Sequence, residues 1–183
     1  QRPKVLLLNP PGKRLYVRDY YCSKISKADY LYHPTDLLIA SGWLEPYFDL
    51  LVLDCIVDGI RKEKALMKIE AYRPDAIFFL TGSVSRDEDF AFLDKVRNSC
   101  GSLMVGSGDC LLDEFERIRF SAPWMDAIVT DFTSDGLKNF LRAELTDHDV
   151  DYSDIVDLRK EGNGQICIGK RVKGIELEVP IPR

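Results

Sequence analysis

Closely spaced metal ligands are missing from this sequence. Its nearest cysteines, Cys100 and Cys110, lie ten positions apart, whereas zinc and iron-sulfur loops space their ligands by about two to four residues. The five cysteines are Cys22, Cys55, Cys100, Cys110 and Cys167. We therefore expect no metal ligands in the chain. Cys55 follows a hydrophobic run and is interpreted as a small buried side chain rather than a nucleophile.

Long apolar runs and a strong positive charge are missing as well. No apolar stretch approaches the roughly 20 residues that span a bilayer, and the first residues do not form a signal peptide. A net charge of -5 argues against a protein that binds nucleic acid by neutralising its phosphates. With 45% hydrophobic and 30% charged residues, the composition is that of an ordinary soluble protein. We expect a cytoplasmic location and neither a membrane nor a nucleic-acid partner.

The common nucleotide-binding and catalytic motifs are also absent. There is no Gly-x-Gly-x-x-Gly after the first predicted strand and no Gly-Lys-Ser/Thr loop, so neither a dinucleotide fingerprint nor a P-loop is present. No nucleophile, base and orienting group fall together on the loops, which leaves a stand-alone hydrolase or transferase without support. Asp54 and Asp109 are the acids of interest, and both are interpreted as solvated turn residues.

Hydrophobic periodicity predicts five strands that alternate with five helices. The first strand begins at Lys4, and residues 5–8 form an unbroken aliphatic run before Asn9-Pro10-Pro11-Gly12. This is typical of a strand buried on both faces and followed by an abrupt loop. The other strands are predicted at 50–53, 76–80, 103–105 and 127–129. The helices are predicted at 35–45, 61–72, 87–99, around 111–118, and from Ser134 to 145.

This alternation predicts an α/β fold with a doubly wound, five-stranded parallel sheet, flavodoxin-like, in the strand order 2-1-3-4-5. Residues 1–145 are assigned to this domain. Residues 146–183 are assigned to a small C-terminal β extension with an acidic linker and a final extended segment. Between them a hairpin is predicted that turns at Gly162-Asn163-Gly164 and joins short strands around Val156 and at 166–168. We expect this extension to lead to a domain outside the chain.

Ligands of open parallel sheets bind beyond the carboxyl ends of the strands. In this chain the loops at that edge comprise residues 9–12, 81–85, 106–109 and 130–134. The second and third of these loops carry glycines, which leave room for a bulky flat ligand. Tight turns explain either glycine loop alone, but their coincidence on neighbouring strands favours a ligand.

A long irregular segment, residues 13–34, separates the first strand from the first helix. Loops of this length inside a compact domain are unusual and tend to be functional or disordered, and a functional role is favoured here. The segment contains five tyrosines: Tyr16, Tyr20, Tyr21, Tyr30 and Tyr32. Their rings could cover a planar ligand, pack their own loop or dock a neighbouring domain. Docking is favoured because aromatic rings with a polar edge suit interfaces.

Five short motifs accompany these elements in a set order. They are Asn9-Pro10-Pro11 after the first strand, His33-Pro34 at the first helix, Arg73-Pro74-Asp75 before the third strand, Val105-Gly106-Ser107-Gly108 at the fourth, and Met125-Asp126-Ala127-Ile128-Val129 as the fifth. In order and spacing they resemble the cobalamin-binding-type domain at the amino end of many radical S-adenosylmethionine (radical SAM) enzymes. The resemblance runs over nearly the whole chain, and the terminal Pro180-Ile181-Pro182-Arg183 is similar to the segment that precedes the radical barrel.

The resemblance implies that the carboxyl-end loops hold a corrin ring and its nucleotide tail. The family reads Gly-Glu-Gly-Glu where this chain has Thr130-Asp131-Phe132-Thr133-Ser134, so Phe132 takes space that the family leaves open. Cobalt would have no protein histidine, because His33 and His148 are interpreted as surface residues. The candidate cofactor-binding residues are Asn9, Pro10, Pro11, Gly12, Thr81, Gly82, Ser83, Ser85, Gly106, Ser107, Gly108, Thr130 and Asp131.

The expected function is therefore that of a cobalamin-binding-type module that supports methyl transfer or rearrangement by a radical SAM enzyme. The [4Fe-4S] cluster and S-adenosylmethionine would belong to a domain outside the chain, since the Cys-x-x-x-Cys-x-x-Cys motif is absent. The chain alone is expected to be non-catalytic, with cobalamin or a small molecule and a C-terminal radical SAM domain as partners. The alternative is the same fold without cobalamin, acting as a substrate-positioning or protein-interaction domain.

Overall fold

The computed structural model describes residues 2–19, 23–27, 31–112, 115–146 and 148–159. The predicted hairpin turn at 162–164 and the terminal segment at 180–183 lie outside these residues. In chain order the strands are β1 (Lys4–Asn9), β2 (Tyr16–Val17), β3 (Lys24–Ile25), β4 (Asp49–Asp54), β5 (Ala76–Leu80), β6 (Leu103–Ser107), β7 (Ala127–Val129) and β8 (Ile155–Asp157). The helices are α1 (Thr35–Leu44), α2 (Lys62–Tyr72), α3 (Arg86–Cys100), α4 (Phe115–Ser121) and α5 (Gly136–Leu145), with a 3-10 turn at Asp109–Leu111.

The main sheet is mostly parallel and has the order β4-β1-β5-β6-β7-β8. Strands β4, β1, β5, β6 and β7 pair in parallel, and β8 pairs antiparallel with β7. The predicted α/β class with a doubly wound sheet is confirmed. The predicted count of five strands is wrong, and the order of the whole sheet differs from the prediction by the added sixth strand.

Strand β8 lies in the region that the sequence assigned to a separate linker and hairpin. Its register places Ile155 opposite Val129 and Asp157 opposite Ala127. Ile155 is 1% exposed and Val156 is 7% exposed, so the strand packs into the main core. It pairs with β7, whose outer edge would otherwise present unpaired backbone groups to solvent. The sequence predicted a short strand around Val156, but as part of a hairpin with residues 166–168, which lie outside the described residues, and not as the partner of β7.

The sheet is covered on both faces, which explains its nearly continuous aliphatic strands. Helices α1 and α5 pack on one face, against a core that includes Leu7, Phe78 and Val105. Helices α2, α3 and α4 pack on the other face, against a core that includes Leu6 and Phe79. Within the part of the chain that the structure describes, no helix has the length and apolar character needed to cross a membrane.

The winding reverses between β1 and β5. The helix that follows β1 lies on one face of the sheet, whereas the helix that follows β5 lies on the other. A crevice between the carboxyl ends of two such strands is the usual ligand position in open α/β sheets. The fold therefore directs attention to the residues at and just beyond Asn9 and Leu80.

Candidate functional site

An arm of the chain, defined as the described residues 13–19 and 23–27, lies over this crevice. It contains the two short strands β2 and β3, which pair antiparallel with Tyr16 opposite Ile25 and Val17 opposite Lys24. The segment that the sequence left as one irregular loop is thus partly ordered. Its side chains reach the ends of β1, β5 and β6, as the contacts below show.

Arg18 brings a buried positive charge into the crevice. Its side chain is fully buried, and its guanidinium forms an ion pair with Asp89 of α3, with 2.6 Å between Nη2 and Oδ1. Nε donates to Oδ2 of Asp89 at 2.9 Å and to Oγ of Ser85 at 3.2 Å. Nη1 donates to Oδ1 of Asn9 at 2.8 Å. The guanidinium therefore joins the end of β1 to the start of α3.

The carboxylate of Asp89 collects the hydroxyl groups that follow β5. Ser85 donates to its Oδ2 at 2.7 Å, and Thr81 donates to the same oxygen at 3.0 Å. Burial raises the pKa of Asp89, and the hydrogen bonds and charge of Arg18 oppose that rise. A buried carboxylate is tolerated when it is paired and hydrogen-bonded in this way.

Asn9 connects this ion pair to a second buried carboxylate. Its Nδ2 donates to Oδ1 of Asp54 at 2.8 Å, and the backbone N–H groups of Ile56 and Val57 donate to the same oxygen at 3.2 Å. Oδ2 of Asp54 lies 3.2 Å from Nδ1 of His33. The interpretation of Asp54 as a solvated turn acid is wrong, because the residue is only 3% exposed.

Two further carboxylates hold the arm in place. Glu88 accepts from the hydroxyl of Tyr16 at 3.1 Å and pairs with Nζ of Lys62 at 2.8 Å. Partial burial would raise the pKa of Glu88, but the hydrogen bonds from Lys62, from the Lys13 backbone and from Tyr16 keep it below its usual value. The arm is therefore held to the main domain by ionised acids as well as by buried surface.

Asp109 holds the arm to the loops after β5 and β6. Its Oδ2 accepts from the backbone N–H of Ser23 at 3.0 Å and from its hydroxyl at 2.9 Å, and its Oδ1 accepts from the N–H of Ser83 at 2.8 Å. Burial alone would raise the pKa of Asp109, but these hydrogen bonds lower it. The interpretation of Asp109 as a merely solvated turn acid is therefore also wrong.

The predicted small residues face atoms of the protein itself. A methyl group added at Gly82 would clash with the side chain of Ser23, and one added at Gly108 would clash with the backbone of Thr81. At Gly106 it would lie 2.8 Å from the Phe79 ring. A cavity beside Asn9 and Arg18 has a volume of about 10 Å³, which is about the space of one water molecule. In this arrangement the described residues leave no room there for a corrin ring.

The other predicted site residues divide into two groups. Pro10 and Pro11 are buried behind the network, and Gly12 lies against the ring of Tyr16. Thr130 and Asp131 lie apart, at the end of β7, where Asp131 accepts hydrogen bonds from Thr133. The structure thus brings Asn9, Thr81 and Ser85 together through Asp89 and Arg18. Cofactor binding by the thirteen predicted residues stays a prediction.

Ser107 is the one predicted site residue whose buried hydroxyl has no partner among the described residues. It is 0% exposed and ends β6. A buried hydroxyl normally donates or accepts a hydrogen bond. The Ser107 hydroxyl, at the carboxyl end of β6, is therefore an unsatisfied polar group.

Several other predictions concern single side chains. Cys55 is buried, as predicted, and burial raises the pKa of its thiol to about 12. His148 is exposed, as predicted, and the side chain of His33 is 59% exposed. Tyr16 is buried, with its ring 5.3 Å from the Arg18 guanidinium carbon and its hydroxyl on Glu88. Phe132 packs against the core beneath α1 and α5.

Sequence reasoning missed Arg18 and Asp89, although one of them carries a signal. Asp89 precedes Phe92, Leu93 and Val96 by three, four and seven positions, and all four are buried on one face of α3. An acid on the apolar face of a helix must be buried and therefore needs a partner. Arg18 carries no such signal, because a single arginine in an irregular segment has no periodic context.

At the opposite edge of the sheet, where the amino ends of β1 and β5 lie, there is an open basic depression of about 390 Å³. Arg2, Lys4, Arg73 and Asp75 line it together with Pro3 and Leu145. Nζ of Lys4 donates to the carbonyl of Tyr72 at 3.2 Å, and its backbone N–H donates to Oδ2 of Asp75 at 2.7 Å. Arg73 caps α2 in a left-handed conformation with φ of 54° and is exposed to solvent.

Within the described residues, no group of three or more histidine, cysteine, aspartate or glutamate side chains is arranged to hold a metal ion. The candidate functional site is the polar crevice around Arg18, whose walls are formed by Asn9, Asp54, Ser85 and Asp89. Searches of protein-family models, curated proteins and solved structures found no match to this chain.

Proposed function

We propose that this chain is a non-catalytic positioning module with the cobalamin-binding-type fold of radical SAM enzymes, in which the chain's own arm replaces the corrin. The module would present a substrate or a protein partner to a catalytic domain outside the chain. That domain would supply the [4Fe-4S] cluster and S-adenosylmethionine.

One observation carries this proposal: the fully buried guanidinium of Arg18 occupies the crevice at the point where the winding reverses. It makes four hydrogen bonds to Asn9, Ser85 and Asp89. A corrin at this position would have to displace Arg18 and leave Asp89 as an unpaired buried carboxylate, which costs several kcal/mol. Ser23 against Gly82 and Phe79 against Gly106 take up further space that the glycines would otherwise leave.

A second candidate function, cobalamin binding after displacement of the arm, is favoured by one specific observation. The buried hydroxyl of Ser107 has no hydrogen-bond partner among the described residues, although it lies at the edge where the resemblance implies a ligand. A bound group with a donor or acceptor would satisfy it. Ser107, Gly108 and Asn9 are the residues that would then contact the cofactor, which would supply methyl-transfer or rearrangement chemistry.

Retention of cobalamin distinguishes the two functions. The purified chain would be incubated with hydroxocobalamin and desalted, and its visible absorbance recorded. We expect no corrin spectrum in the protein fraction, because the arm closes the crevice. A spectrum retained at one corrin per chain would overturn the positioning proposal and support the second candidate. Arg18→Ala and Arg73→Ala variants, treated in parallel, report whether any retention depends on the arm or on the opposite edge.

The radical SAM part of the proposal has its own test in the gene. We expect the coding sequence beyond Arg183 to continue into a Cys-x-x-x-Cys-x-x-Cys motif within a few dozen codons. A coding sequence that continues into another class of enzyme, with no such motif, would contradict this assignment. It would not affect the absorbance result.

A further inference from the structure

We infer that the crevice at the carboxyl ends of β1 and β5 is a binding site for a guanidinium-bearing ligand, and that Arg18 is its internal occupant. This inference rests on the proposed positioning function and names the chemical class that the module would hold. A substrate or partner with an arginine-like group would displace Arg18 and take its contacts.

The walls of the crevice match a guanidinium group in charge and in geometry. Both oxygens of Asp89 accept from Arg18, at 2.9 and 2.6 Å, which is the paired contact that a planar fork of N–H donors makes with a carboxylate. Oδ1 of Asn9 accepts from the remaining branch at 2.8 Å. A compact ammonium ion cannot make these three contacts in one plane.

An aromatic face adds to the preference for a planar cation. The guanidinium carbon of Arg18 lies 5.3 Å from the centre of the Tyr16 ring. This ring is held in turn by the bond from its hydroxyl to Glu88 at 3.1 Å. Stacking of a delocalised cation on an aromatic ring is a contact that arginine makes more often than lysine.

The arm that delivers Arg18 is attached by many polar contacts and by one buried apolar side chain, that of Tyr16. Its strands β2 and β3 are two residues long, and Lys24 is exposed while Val17 and Ile25 are half-buried. Glu88 and Asp109 hold it from outside the crevice. Segments with few buried apolar contacts open locally at a lower free energy than core strands do. A ligand that adds contacts of its own can therefore compete with the tethered Arg18.

Small-molecule rescue of an Arg18→Ala variant tests the site. Thermal unfolding of the variant would be followed with methylguanidinium, with methylammonium and with the neutral isostere N-methylurea, all at matched ionic strength. We expect methylguanidinium alone to raise the unfolding midpoint, saturably and by about 2 to 4 °C. The wild type should not respond, because Arg18 fills the site, and Arg73→Ala serves as the matched control at the opposite edge.

If Arg18→Ala does not fold by itself, the same compounds are present during refolding. Recovery of folded protein with methylguanidinium and not with N-methylurea supports the inference. Equal effects of the two compounds, an equal response of Arg73→Ala, or no rescue by any compound overturns it. The proposed positioning function is tested by a different measurement, the corrin absorbance that the protein retains. That measurement does not involve any guanidinium compound, so the two failures can be told apart.

Hydrogen exchange of the wild type tests whether the occupant can leave. The amide of Ser26, which donates to the carbonyl of Leu15 at 2.8 Å, reports on the arm. The amide of Leu7 in β1 reports on the core. We expect the Ser26 amide to be protected on the order of 100-fold less than that of Leu7. Equal protection of the two amides would mean that the arm opens only by global unfolding. It would overturn the inference that Arg18 can be displaced.

Discussion

The two ends of the neighbouring strands β1 and β5 treat charge in opposite ways. At the carboxyl end Arg18 and Asp89 are fully buried and satisfied by each other and by neighbouring polar groups. At the amino end Arg2 and Arg73 stand in solvent around an open depression. The carboxyl ends of β1 and β5 thus carry a closed polar cluster, and their amino ends carry an open surface with exposed arginines. The amino end of β7 differs, because Asp126 there is 6% exposed and pairs with Arg97 at 2.8 Å.

The difference teaches where the fold depends on particular residues. Water screens exposed charges, so that they contribute little to stability. Buried charges depend entirely on their partners, because each one left alone would be desolvated without compensation. Substitutions in the buried cluster around Arg18 should therefore have large and specific effects, whereas substitutions of the exposed arginines should have small ones.

The largest expected effect breaks the buried ion pair. Arg18→Ala leaves the carboxylate of Asp89 buried without its cation, and we expect it to lower the free energy of unfolding by about 3 to 5 kcal/mol. The matched change Arg73→Ala should alter it by no more than about 0.5 kcal/mol. Urea denaturation of the two variants measures the contrast. Similar losses in both would show that the two edges do not differ in this respect.

A second large effect is expected where the backbone packs most tightly at the carboxyl end. Gly108 has φ of 150°, and a side chain there would clash with the carbonyl of Thr81. Gly108→Ala should therefore cost about 3 kcal/mol, from strain and overpacking together. Gly59 also has a positive φ, of 60°, but open space around it, so Gly59→Ala should cost about 1 kcal/mol. Denaturation midpoints that rank the two variants the other way would contradict this account.

A pH-dependent effect separates the paired from the unpaired buried acids. Asp36, at the start of α1, is 4% exposed, and its Oδ2 has no partner among the described residues. Burial raises the pKa of Asp36 from 3.8 to about 6. The folded chain thus binds this proton more tightly than the unfolded chain, so wild-type stability falls as pH rises from about 4 to about 6.

Asp36→Asn removes that penalty. We expect the variant to be more stable than the wild type by about 2 to 3 kcal/mol at pH 8, and by much less at pH 4. Denaturation of both proteins at the two pH values measures this. A stability difference that does not change with pH would show that the Asp36 carboxyl is not the group responsible.

The smallest expected effect lies at the amino end. Arg73 ends α2 with φ of 54°, a left-handed conformation that glycine adopts without steric cost. Arg73→Gly should therefore stabilise the protein, by about 1 kcal/mol. Thermal denaturation at high and low salt checks this result. A salt-dependent loss of stability would mean that the cation at this edge matters more than its backbone strain.

Much of the fold could be predicted from local patterns. The strand limits 76–80 and 127–129 were predicted as they are found, because each is an apolar run of strand length that lies between turn residues and predicted helices. The position of the sixth strand in the sheet could not be predicted. Local sequence indicates an extended conformation but not which strand it pairs with, here Ile155 with Val129. The sequence around Val156 suggested a strand but offered a different neighbour.

The candidate site could be predicted in position but not in content. Asn9, Thr81 and Ser85 lie at the edge that the winding rule indicates, and they do meet. The glycines at 82, 106 and 108 suggested an open space, but the same lack of a side chain equally allows close packing of the protein's own atoms. Sequence alone cannot distinguish a space left for a ligand from one filled by a distant segment.

The amino-acid sequence by itself determined that this chain builds a covered parallel sheet, since runs such as residues 5–8 can be buried only with apolar helices on both sides. Tertiary structure alone decided what lies at the ends of that sheet. Arg18 and Asp89 stand 71 positions apart, and their contact depends on the path of the arm rather than on any local preference. The physical reason is that burial of a charge is decided by its partner, and the partner is found only when the chain has folded.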